Sequence, residues 1–366
     1  MSDLDKAPIP KAGIMQINAY KAGGGQFSGV EKLYHLASNE TPHGAPQQAR
    51  DAVAELANNI HEYPDPGSTK LRDAIAKKHG LNADKIVCSN GSDELLTLIA
   101  NGYIAEGDEA IISQYGFLVY KNVIQANGGI VVVADEVDFT VDVDNMLACV
   151  TDKTKVVYLA NPGNPTGTYI GAGELNRLHK GLRSDIILVI DSAYAEFCLA
   201  DDYHDGVDLV EANENVIMTR TFSKLYGLAG LRVGWCYASD GIIAVLSRIR
   251  GPFNVNATAQ VAGAAAVFAD DFVKMSLDHN VKWAGVISQR LSGLGIKVTP
   301  THANFMLIHF DGTGKTAEEA DRYLCSKGVV LRRLEAYNIP NALRYTIGSD
   351  EANELVLSLL ETFMKL

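Results

Sequence analysis

The sequence predicts an α/β protein: a large domain with a seven-stranded, mostly parallel sheet between helices, plus a smaller α+β C-terminal domain joined by an N-terminal arm. Three observations carry this. Short β-branched or aliphatic runs alternate with amphipathic helical stretches, as βαβ units require. Hydrophobic residues make up 47% and charged residues 21% of the 366, an ordinary globular composition with enough interior for a large core. After about residue 240 the alternation gives way to longer helices and then to a shorter mixed segment.

The expected strands of the large sheet are Ile86–Ser89, Ala110–Ser113, Ile130–Val133, Val156–Ala160, Ile186–Ile190, Val216–Thr219 and Val233–Tyr237. Helices are expected over Ile242–Arg250, Ala257–Ala269 and Phe272–Leu294. Strands near Phe305–Phe310, Val329–Arg332 and Leu343–Ile347 and a closing helix from Glu351 complete the chain. Residues 1–50 read as the N-terminal arm with part of the small domain, 51–265 as the large domain and 266–366 as the small C-terminal domain.

Lys and Arg number 32 against 44 Asp and Glu, a net charge of −12, which removes the attraction that phosphate-backbone binding needs, so nucleic acid is not an expected partner. The longest small or apolar run, Val261–Ala269, is about half the ~18 residues of a membrane span, so no membrane partner is expected. The N-terminus has neither the basic nor the apolar region of a secretory signal, so a cytoplasmic protein is expected. The cysteines (Cys88, Cys149, Cys198, Cys236, Cys325) are odd in number and far apart, so they read as reduced thiols. The histidines form no His-Glu-x-x-His, and no metal is expected. Gly312–Thr316 has part of a phosphate-loop pattern, but His309 stands where that pattern needs Gly, so it reads as a turn.

In a parallel α/β sheet, ligands bind at the carboxyl ends of the strands. The first informative end is Asn90-Gly-Ser-Asp-Glu94, a Gly-containing turn feeding a helix, which suits an anion, although taken alone it reads more readily as an ordinary N-cap by Ser92. The second is Asn161-Pro-Gly-Asn-Pro-Thr-Gly167, a turn that holds Asn161 and Asn164 as stiff amide donors. In the third, Asp191 ends a wholly apolar strand, a costly place for a carboxylate without a cation or several donors. In the fourth, Lys224 follows a strand between Thr221, Ser223 and the Gly227-to-Gly234 segment that carries Arg232. A lysine desolvated in such surroundings is a candidate Schiff-base former.

One cofactor needs all these parts. Pyridoxal 5′-phosphate requires an amine for its aldehyde (Lys224), an acid for its ring nitrogen (Asp191) and donors for its phenolic oxygen (Asn164, Tyr194). It also needs an anion cradle (Ser92, Thr221, Ser223, Arg232) and an aromatic face, supplied by Tyr115 or alternatively by Phe117 or Tyr120.

These four segments, in this order, resemble the fold type I aminotransferases. Within them, Leu36-Ala-Ser-Asn-Glu40, Tyr63-Pro-Asp-Pro66, Leu331-Arg332 and Leu343-Arg-Tyr-Thr-Ile-Gly348 are similar to the histidinol-phosphate branch, so the resemblance spans nearly the whole chain. Two positions depart from the pattern, Ser192 and Gly163, and neither carries a role assigned here. The resemblance implies transfer of an amino group between L-histidinol phosphate and 2-oxoglutarate. It makes Lys224 the Schiff-base lysine and proton shuttle, adds Asp93 to the phosphate cradle, and brings Tyr63 from a second subunit, hence a homodimer. It further implies that Arg344 clamps the glutamate α-carboxylate, that Arg332 and Tyr20 meet the substrate phosphate, and that Asn39 contacts substrate. Relatives of this kind also include aromatic amino-acid aminotransferases acting on phenylalanine, tyrosine or arogenate, and the same scaffold supports decarboxylation of threonine phosphate.

Overall fold

The computed structural model describes residues 8–11, 13–17, 19 and 32–366. In it the seven apolar runs lie side by side as β1 (Ile86–Ser89), β2 (Glu109–Ser113), β3 (Ile130–Ala134), β4 (Thr154–Ala160), β5 (Ile187–Asp191), β6 (Val216–Thr221) and β7 (Gly234–Ala238). Their order is β1-β7-β6-β5-β4-β2-β3. β7 runs antiparallel to β1 and β6, and every other pairing is parallel.

The reason these runs lack polar alternation is that both faces of the sheet are covered. Ile86, Ile111, Leu188, Met218 and Tyr237 belong to one apolar layer. Val87, Ala110, Val156, Val189 and Ile217 belong to the other. Each fully buried Val, Leu or Ile contributes about 1.5–3 kcal/mol by removal from water, so a one-residue slip of any central strand is strongly disfavoured.

A second, antiparallel sheet holds β8 (Lys297–Val298), β9 (Phe305–His309), β10 (Arg332–Arg333) and β11 (Ala342–Thr346) in the order β8-β9-β11-β10. Its core of Trp283, Met306, Leu343, Tyr345 and Leu357 lies beneath the helices Asp270–Ser292, Ala317–Ser326 and Asp350–Phe363.

The expected single strand Val329–Arg332 is divided. Val329–Val330 pairs in parallel with Tyr34–His35, and only after Leu331 does the chain join the second sheet as β10. The incoming segment takes the backbone groups there: Tyr34 N donates to Gly328 O (2.7 Å) and Leu36 N to Val330 O (2.8 Å). Gly312–Thr316 is indeed a turn, opening a helix closed reciprocally by Thr316 and Glu319. The five cysteines are free thiols. Among the described residues no helix is long and apolar enough to cross a membrane.

Candidate active site

β1, β2, β4, β5 and β6 end at one edge of the sheet, and β7, running against them, starts there at Gly234. Six chain segments therefore deliver side chains to one place, and the second sheet supplies a wall facing them.

Asp191 is the last residue of β5 and is 5% exposed. Tyr120 donates its hydroxyl to Oδ2 (2.8 Å) and Thr219 donates to Oδ1 (3.2 Å). Burial pushes the carboxyl up to about 6, against these two hydrogen bonds, which pull it down, while Asp93 adds to the rise. Among the described residues no cation pairs with it. A buried carboxylate held by neutral donors, the Tyr120 and Thr219 hydroxyls and the Ala193 backbone N–H, is left short of one positive partner.

Lys224 lies just beyond β6, its Nζ donating to Ser38 O (3.1 Å) and standing 5.9 Å from the Tyr194 ring centre. Burial first, then the charge of Arg344 and more weakly of Arg232, lower its ammonium from 10.5 to about 8, with Asp93 and Glu40 opposing. A useful fraction of neutral amine therefore exists near neutral pH.

Tyr194 accepts from Asn39 Nδ2 (2.8 Å), which leaves its own hydroxyl proton to donate elsewhere. Burial raises its pKa, so the phenol stays protonated. Asn39 has a left-handed backbone (φ +58°), which asparagine tolerates, and is pinned by Thr346 Oγ1 and Asn304. Asn164 Oδ1 accepts from Arg344 Nη1 (2.6 Å), which turns its Nδ2 outward as a donor. Arg344 also donates to Ala37 O (2.7 Å), tying β11 to the Asn164 turn and the N-terminal segment.

Asn161 differs from its neighbour Asn164. Its side chain exchanges two hydrogen bonds with the Ile170 backbone (3.0 and 2.9 Å), so it closes the turn and is not an open donor.

The anion cradle forms where β1 turns into the helix Ser92–Tyr103. Gly91, not Ser92, is the N-cap; its φ of +80° is open to glycine, and a side chain there would press on the Arg232 guanidinium. The Ser92 and Asp93 N–H groups open the helix without intrahelical acceptors. Arg232 Nη1 donates to Ser223 Oγ (3.1 Å), and its Nη2 lies 3.4 Å from the Asp93 carboxylate. Thr221 Oγ1 accepts from Ser223 N (3.1 Å), so both hydroxyl protons remain for an anion. At Gly234 a Cβ would come within 2.6 Å of Ser92 N, so β7 can pass the helix start only as glycine.

Tyr115 is half-buried and stacks on Phe139 (5.3 Å) beside the cluster of Leu307, Leu334 and Tyr337. Tyr120 is wholly buried, stacked on Tyr158 (5.0 Å) and committed to Asp191, so it is not a ring face. Phe117 packs edge-on against Tyr120 (5.9 Å). Tyr63 stands apart, 82% exposed and stacked on Phe253 (4.6 Å). Tyr20 lies outside the described residues.

Residues 31–360 match the aminotransferase class I and II family. The chain belongs to the class I and II aminotransferases. This agrees with the resemblance carried by the four strand-end segments. The aminotransferase is 49% identical to the histidinol-phosphate aminotransferase of Maricaulis maris (strain MCS10), over 97% of this chain and 99% of that protein. It is 48% identical to that of Rhodopseudomonas palustris (strain TIE-1), over 98% of each. Among solved structures, the histidinol-phosphate aminotransferase from Sinorhizobium meliloti in complex with pyridoxal-5′-phosphate superimposes with a TM-score of 0.85, at 26% identity over 91% of this chain and 92% of that one.

Sequence reasoning missed the support given by Thr219, Thr346 and Ser38. For Thr219 a signal existed: Thr219-Arg-Thr221 is a polar ending on an apolar strand, and Thr219 lies opposite Asp191 in register.

Proposed function

We propose that this aminotransferase exchanges an amino group between L-histidinol phosphate and 2-oxoglutarate, with pyridoxal 5′-phosphate as cofactor, as a cytosolic homodimer. The relatives named above support the substrate. The donor set supports the cofactor: a buried acid lacking a cation, a lysine lowered toward neutrality, two outward donors and a helix-start cradle stand at one sheet edge. When bound, pyridoxal phosphate supplies an aldehyde that takes up the donor's amine and a ring that stores the electrons released at its α-carbon.

The chain's own groups do the rest. Lys224 Nζ would hold the cofactor and, as the free amine, would move the proton between the substrate α-carbon and the cofactor's C4′ carbon, the shift that leaves the amino group on the cofactor. Asp191 holds the proton on the ring nitrogen. Asn164 Nδ2 and Tyr194 Oη donate to the phenolic oxygen. The Ser92 and Asp93 amides with Thr221, Ser223 and Arg232 hold the phosphate, and Tyr115 covers the ring face. Tyr63 of the partner subunit completes the cradle; an 82%-exposed tyrosine stacked on Phe253 supports a surface meant for a second chain. Both half-reactions use this one site.

One observation carries the choice of anionic substrates. Arg332 on β10 lies directly opposite Arg344 on β11, so both side chains leave the same face of the second sheet. Neighbouring like charges oppose folding unless an anion lies between them. Arg333, on the other face, is neutralised by Asp321 and Glu335, whereas Arg332 has no carboxylate partner among the described residues. Two planar forks suit a carboxylate or a phosphate ester better than point charges do. In this reading Arg344 takes the glutamate α-carboxylate, while Arg332, with Tyr20, takes the substrate phosphate and Asn39 lines the same pocket.

The Arg332→Ala variant tests this. Its KM for L-histidinol phosphate should rise about 10- to 100-fold, the cost of a hydrogen bond to a charged group, with that for glutamate within about threefold. Equal rises for both substrates in steady-state assays would mean that the phosphate lies elsewhere.

A further inference from the structure

Tyr120 sits in the helix Leu118–Ala126, whose buried side is Tyr120, Val123 and Ile124. Its ring is fully buried, parallel to Tyr158 (5.0 Å, 13°) and edge-on to Phe117. Phenylalanine would fill the same space, and the phenol hydroxyl is costly to bury unless it finds a partner. That partner is Asp191 Oδ2, at 2.8 Å. The other carboxylate oxygen is held by Thr219, the register partner of Asp191 on β6. The carboxylate is thus gripped from two directions, by a helix outside the sheet and by the neighbouring strand. Neither grip uses a charge. Each hydroxyl donates to the carboxylate and so favours its ionised form over the protonated one.

We propose that Tyr120 is a positioning residue acting through Asp191: its hydroxyl fixes the orientation and the charge of the carboxylate that holds the protonated ring nitrogen of pyridoxal phosphate. The inference rests on the cofactor reading above and adds to it a residue that touches neither cofactor nor substrate.

The experiment compares cofactor-free wild-type protein with Tyr120→Phe and, as a second removal of one donor, Thr219→Val. Each is titrated with pyridoxal phosphate and with its carbocyclic analogue, in which a CH group replaces the ring nitrogen. The readout is the ratio of the two dissociation constants. Wild type should bind pyridoxal phosphate more tightly than the analogue. Both variants should lose about tenfold in affinity for pyridoxal phosphate and little for the analogue, because only the ring nitrogen reports the state of Asp191. Retained analogue binding also shows that the variants are folded. Equal losses for both compounds would make Tyr120 a packing residue, and no loss for either would leave it without a role; each overturns the proposal. Wild-type protein that binds neither compound would overturn the cofactor reading itself, and the proposal with it.

Discussion

Replacing Lys224 by alanine is expected to lower turnover by about 10⁴-fold or more, because it removes both the amine that attaches the cofactor and the base that moves the α-proton. The cradle at Ser92, Thr221, Ser223 and Arg232 is untouched by this change, so cofactor should still bind but without its Schiff-base absorption. A variant that keeps turnover within tenfold of wild type, about 1.4 kcal/mol, would remove Lys224 from the chemistry. The same residue sets a pH dependence in the wild-type protein. Its ammonium is lowered to about 8, and only the neutral amine attacks an aldehyde, so capture of added pyridoxal phosphate by cofactor-free protein should accelerate as pH rises through 8 and level off above it. At pH 6 capture should be about a hundredfold slower than on that plateau, following the fraction of neutral amine. A midpoint near 10.5, the ordinary lysine value, would mean that burial and Arg344 do not act on the amine as described.

The Asp191→Asn variant should bind pyridoxal phosphate more weakly and, with the site saturated by added cofactor, still show a kcat about 10³-fold below wild type. The amide is the same size, and Tyr120 and Thr219 can turn their hydroxyls to meet it, so the fold should survive. What is lost is the negative charge. A neutral amide does not hold a proton on the ring nitrogen, and the ring then stores electrons poorly. Bound cofactor is measured by release in acid, and kcat with saturating substrates and cofactor. A variant with kcat within tenfold of wild type would show that ring protonation does not depend on this carboxylate.

The large sheet was legible because its central strands are buried on both faces and so read as unbroken apolar runs; the seven runs expected at β1 to β7 lie within two residues of the observed strands at every boundary. The two-residue strands Tyr34–His35 and Lys297–Val298 had no such signal, since two residues cannot display a period. Val329–Arg332 looked like one strand because apolar character does not say where a chain changes sheets. The strand-end rule located Asp191, Asn164, Lys224 and the Ser92 turn without any partner being known. It did not separate Asn161 from Asn164, because the two amides differ only in which way a folded turn points them. Nor did it separate Tyr115 from Tyr120. Both follow β2, but the start of the helix Leu118–Ala126 buries one phenol against Asp191, 71 positions away, and leaves the other beside the pocket. Arg332 and Arg344 stand twelve positions apart in sequence, and the register of β10 on β11 alone makes them neighbours.

Transfer of the amino group from L-histidinol phosphate, through pyridoxal phosphate held by these residues, is tested most directly by the visible spectrum of the purified protein before and after that one substrate is added, with phenylalanine at equal concentration as the comparison. The expected result is a cofactor band that is lost in a single turnover, faster with L-histidinol phosphate than with phenylalanine. A band that ignores L-histidinol phosphate and is lost with phenylalanine would contradict the substrate assignment and move the enzyme to aromatic amino-acid chemistry.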